Sequence, residues 1–79
     1  MIFYTESGSI YELDRTQNQI RRLEGAQDPT PRQGSDGEWK TFEYCSEVRE
    51  GHPTLIQWEG IRSTLTSTVK TIASPSNTN

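Results

Sequence analysis

Seventy-nine residues, 29% of them hydrophobic, with a mean hydropathy of −0.86, allow one small domain with a thin core. The single Cys45 excludes an internal disulfide, and no apolar run approaches the roughly 18 residues of a membrane-spanning helix. A net charge of −3 and a pI near 5.0 argue against general affinity for nucleic acid, which comes chiefly from Lys and Arg displacing counterions from phosphates.

The opening Met1 to Ser9 stretch has neither a basic start nor an apolar block, so no secretory signal is expected there. Ile2-Phe3-Tyr4-Thr5 is a run of strand formers, Glu6-Ser7-Gly8-Ser9 is turn-like, and Ile10-Tyr11-Glu12-Leu13-Asp14 resumes strand composition. These fourteen residues read as a hairpin, with Tyr11 and Leu13 on one face and Glu12 and Asp14 on the other. Arg15-Thr16-Gln17-Asn18 suits a second turn, Asn18 being able to take a positive φ. Gln19 to Glu24 follows as a third strand, although Ile20 and Leu23 stand three apart and call for a bulge to re-phase it.

From Gly25 to Gly37 two prolines and three glycines make a loop that is long for so small a domain. Loops of that length are usually functional or disordered. Glu38-Trp39-Lys40-Thr41-Phe42-Glu43-Tyr44-Cys45 returns to strand character, with Phe42 and Tyr44 on one parity and Trp39 and Cys45 on the other. Ser46 to Pro53 is a polar connection. Thr54 to Glu59 is the next strand, with Ile56 and Trp58 on one side and Leu55 on the other, and Gly60 is a tight break.

Ile61 to Ile72 is the longest run with one backbone period. Alternate positions put Ile61, Ser63, Leu65, Ser67 and Val69 on one side and Arg62, Thr64, Thr66, Thr68 and Lys70 on the other. The pattern predicts a strand with the aliphatic side inward and the threonine side in water, since β-branched Thr favours a pleated sheet over a helix. Ala73 to Asn79 has the composition of a flexible tail. The expectation is therefore an all-β domain over residues 1–72, a small antiparallel meander of about six strands forming a curled sheet or a small SH3-like barrel.

No residue pattern points to catalysis. His52 stands alone in a polar loop with no nucleophile placed beside it, and Cys45 reads as a buried strand residue rather than a reactive thiol. One Cys and one His fall short of the four ligands of a structural zinc, and the eleven carboxylates match no calcium loop or paired-acid site. Neither a phosphate-binding Gly-rich loop nor a Gly-x-Ser-x-Gly turn is present. No enzyme activity and no cofactor are expected.

A domain of this size buries only about 60% of its unfolded surface, so a partner, or self-association as a homo-oligomer, would add useful stability. Candidate protein contacts are Pro31 and Arg32 in the loop, together with Trp39, Phe42 and Trp58, because aromatics and Arg dominate interface energetics. The alternative use for each of the three aromatics is core packing. Arg15, Arg21 and Arg22 form the basic concentration, a candidate single-strand nucleic-acid contact with Tyr4 or Tyr11 stacking beside it. Set against that, Arg21 and Arg22 lie between Asp14 and Glu24 and suit the guarding of a sheet edge.

The segments Ser7-Gly8-Ser9-Ile10-Tyr11-Glu12-Leu13-Asp14, Ile20-Arg21-Arg22-Leu23, Pro29-Thr30-Pro31-Arg32, Gly37-Glu38-Trp39 and Leu65-Thr66-Ser67-Thr68-Val69 follow one another in a familiar order. In this the chain resembles a class of short uncharacterised proteins of actinobacteria and their phages, over most of residues 3–72. The resemblance implies a phage accessory protein that acts on a host protein in the host cytoplasm, or a small virion component. It carries over no functional residues.

Overall fold

The computed structural model describes residues 1–25 and 36–74. Eight strands and no helix occur among them: β1 (Ile2–Thr5), β2 (Ile10–Asp14), β3 (Gln19–Glu24), β4 (Lys40–Thr41), β5 (Tyr44–Cys45), β6 (Leu55–Gln57), β7 (Ser63–Leu65) and β8 (Val69–Ser74). All pairings are antiparallel. One sheet has the order β4-β3-β2-β1-β8 and the other β5-β6-β7, so the ladders form two sheets and not one closed barrel.

The first three strands follow local rules. Phe3 opposes Tyr11 and their rings stack at 5.2 Å between centroids, while Leu13 opposes Ile20, all four facing inward. The Asp14 carboxylate accepts from the backbone N–H groups of Thr16 and Gln17, closing the β2–β3 turn, and Asn18 takes φ 54°. A register shift between Ile10 and Tyr11 leaves Leu23 out of the ladder. The expected bulge is present, but it is Arg22 that shares the inward side with Ile20, while Leu23 stays half-exposed.

Two expected strands are each broken in two. The Glu38 to Cys45 run divides into β4 and β5, which belong to different sheets, and Ile61 to Ile72 divides into β7 and β8 in the same way. Phe42 and Cys45 are both buried, with the exposed Glu43 and Tyr44 between them, so strict alternation fails at the corner. At the second corner the phase slips between Thr66 and Val69, both buried and three apart. The inward and outward sides of β7 are accordingly the reverse of those expected. Ile61 is 99% and Leu65 64% exposed, whereas Thr66 is buried and Thr64 half-buried. Hydrogen bonding explains the reversal: Thr64 Oγ1 accepts the Trp58 indole N–H at 2.8 Å, and Thr66 Oγ1 accepts the Thr54 backbone N–H at 2.9 Å. A leucine or isoleucine in either place would strand a buried donor.

The turn between β6 and β7 spans Trp58 to Arg62, closed by the Trp58 N–H to Arg62 carbonyl bond, and Gly60 supplies the φ of 79° that it needs. β8 runs on to Ser74, opposite Ile2, so the chain stays in the sheet past Ala73, where a tail was expected. Most of the Gly25 to Gly37 loop, and residues 75–79, lie outside the described residues.

Phe3, Tyr11, Leu13, Ile20, Phe42, Cys45, Val48, Ile56, Trp58 and Val69 form one core drawn from both sheets. Across the gap between the sheets, the Arg15 guanidinium donates to the carbonyls of Cys45 at 3.0 Å and Ser46 at 2.7 Å, tying the β2–β3 turn to β5. Arg15→Ala leaves both carbonyls to water and is expected to cost about 1–2 kcal/mol, read as a lower urea midpoint with an unchanged slope. Thr54 is fully buried and its hydroxyl has no hydrogen-bond partner. Thr54→Val keeps its shape and removes the stranded oxygen, so stability should hold or rise by up to about 1 kcal/mol in the same measurement.

Candidate protein-binding face

The three-stranded sheet turns one side to the core and one to solvent. Ile56, Cys45 and Thr64 face inward, and the pairs Tyr44–Gln57, Gln57–Ser63 and Leu55–Leu65 lie on the other side. This places Tyr44, Leu55 and Leu65 on one small outer face, 51% and 64% of Tyr44 and Leu65 being exposed, with Ile61 fully exposed at the adjoining turn. Glu43, Glu47 and Glu59 flank these residues along the chain, all exposed, and among the described residues their side chains make no ion pair or hydrogen bond. Arg62 is the basic residue of the same turn. An apolar centre with a charged border is the anatomy of a contact surface.

The residues singled out from the sequence are placed differently. Phe42 and Trp58 are 5% and 6% exposed and belong to the core. Trp39 is half-buried, with the Arg21 guanidinium carbon 4.5 Å from its ring centroid. Pro31 and Arg32 lie outside the described residues.

The three arginines are all engaged and are not brought together as one basic surface. Arg15 holds the two carbonyls of β5 and its neighbour. Arg21 donates through Nε and Nη2 to Glu12 Oε1 at 2.9 and 2.7 Å, its partner across the β2–β3 ladder. Arg22 is buried, with Nε donating to Asp36 Oδ1 at 2.8 Å. Gly25 sits so close that a Cβ there would fall 2.6 Å from the Arg22 guanidinium, so a larger residue would have to displace that side chain.

Elsewhere, Tyr4, Ile10, Ser9, Lys70 and Thr71 line an open groove of about 390 Å³ beside the β1–β2 turn. His52 is exposed. Among the described residues no three His, Cys, Asp or Glu side chains come together as a metal site, and no helix is long and apolar enough to cross a membrane.

Alternation places Ile61 and Leu65 inward and leaves the side of Tyr44 open, so the sequence does not reveal these three as one exposed group. The signal that could have found them is the inward demand for hydroxyl acceptors created by Trp58 and Thr54.

Burial raises the Cys45 thiol pKa above its ordinary 9.0, with the charge and hydrogen bonding of Arg15 opposing the shift. The folded chain therefore holds this proton more tightly than the unfolded one. The stability that Cys45 contributes is complete below the ordinary thiol value and is lost as pH rises from there through the raised value of the folded state. Between about pH 8 and pH 10 the urea midpoint of the wild type should fall more steeply than that of Cys45→Ala. Equal slopes in the two proteins would contradict the assignment.

No family model matches the chain, and neither a curated protein nor a solved structure matches it.

Proposed function

We propose that this chain is a non-enzymatic protein-binding module, which alters a partner by occupying its surface through the outer face of the β5–β6–β7 sheet. The observation that carries the proposal is the outward placement of Tyr44, Leu55 and Leu65 on one face of three paired strands, beside a fully exposed Ile61. Large apolar groups gathered on one face cost solvation in the free protein and are the residue types that anchor interfaces. The resemblance to small phage and actinobacterial proteins supports the accessory role, with a host protein in the host cytoplasm as the partner. The strand order, a meander through one sheet that crosses to a second and returns beside β1, supports a scaffold related to a small, incompletely closed barrel.

The face is independent of the core, so it can be altered without unfolding the domain. Leu65→Asp and Tyr44→Asp should each weaken capture of a stoichiometric partner from a lysate of the cells that carry the gene by at least about tenfold. The thermal midpoint should stay within a few degrees of the wild type. Capture unchanged by both substitutions would assign binding to another surface.

A further inference from the structure

Among the described residues β7 has one side with no neighbouring strand, and the ladder shows which backbone groups face it. The Thr66 N–H donates to the Thr54 carbonyl and the Trp58 N–H to the Arg62 carbonyl. Between these bonds lie the pairs Leu55–Leu65, Ile56–Thr64 and Gln57–Ser63. Bonded and non-bonded pairs alternate along an antiparallel ladder. Ile56–Thr64 is therefore the bonded pair, and the N–H and C=O groups of Ser63 and Leu65 point away from β6. Among the described residues none of these four groups has a partner.

The strand that would have met them stops short. On that side of the chain the β1 end follows as far as the Glu6 N–H to Thr68 carbonyl bond and the Ser7 N–H to Ser67 Oγ bond, then turns at Gly8 towards β2. The opposite edge of the small sheet is closed, because Arg15 takes the carbonyls of Cys45 and Ser46. Edge strands are normally guarded by a charge, a proline or a bulge. Ser63 to Leu65 contains none of these, and Leu65 stands exposed on it.

We infer that β7 is the acceptor edge for an extended segment of a partner protein, which adds as a fourth strand beside Ser63 and Leu65. The inference rests on the protein-binding reading above and specifies its mode. Alternate side chains of the added strand would lie level with Leu65, Leu55 and Tyr44, extending the apolar face by one strand. The net charge of −3, with exposed Glu59 beside Arg62 at the β6–β7 turn and exposed Glu6 at the β1 end of the open side, selects an apolar segment with Lys or Arg at its ends.

The probe is a synthetic peptide of alternating valine and threonine with paired lysines at both ends, and its control has glutamates in place of the lysines. The lysine peptide should slow hydrogen exchange at the Ser63 and Leu65 amides at least about tenfold, and the glutamate peptide should bind at least about tenfold more weakly. Ser63→Pro removes an N–H that the internal ladder does not use, so it should leave the fold intact and weaken peptide binding by a similar factor. The exchange readout in the wild-type protein stands even if that variant unfolds. No binding of the lysine peptide, binding without protection of those two amides, or unchanged binding by folded Ser63→Pro overturns the inference. So does concentration-dependent self-association in sedimentation that Ser63→Pro abolishes, which would make a second copy the occupant. Partner capture lost in Leu65→Asp but kept in Ser63→Pro would retain the protein-binding reading while rejecting strand addition.

Discussion

Two buried donors, the Thr54 backbone N–H and the Trp58 indole N–H, govern the second half of this fold. Each must meet an acceptor inside the domain, and a stranded donor costs about 1–3 kcal/mol. The acceptors are the hydroxyls of Thr66 and Thr64, so the threonine side of β7 turns inward and its aliphatic side turns out. That choice sets the phase of the whole run, exposes Leu65 and leaves Ile61 at the tip in water. The exposed apolar face thus follows from how the core satisfies its own polar groups.

The basic residues serve the same end. In a thin domain, where little apolar surface is available, charge-assisted bonds to backbone carbonyls and partner carboxylates hold the elements in register. Arg15 spans the two sheets, Arg21 couples β2 to Trp39 through Glu12, and Arg22 fastens the start of the residues before β4 through Asp36. Arg21 and Arg22 stand side by side in the sequence because β3 presents consecutive residues to opposite sides.

The sequence made the first three strands legible because their cues are local. Gly8, Asp14 and Asn18 set the turns, and Tyr11 and Leu13 show their faces by simple alternation. The later strands were legible in existence but not in continuity. A corner such as Thr66 to Thr68, or Phe42 to Glu43, is a tertiary event imposed by the passage between sheets, and it appears in the residues only as a lapse of alternation. Hydropathy also misled at Leu65, since it ranks aliphatic groups as interior without asking which neighbours need a hydroxyl. The partners of the arginines depend on register: Glu12 is nine residues from Arg21, and only pairing makes them adjacent.

From β6 into the turn after it, consecutive residues serve different masters: Ile56 and Trp58 fill the interior, while Leu55 and Gln57 belong to the outside. Positions that meet solvent are thereby separated from positions that decide whether the domain folds. The outward residues can therefore be exchanged one at a time without disturbing interior volume.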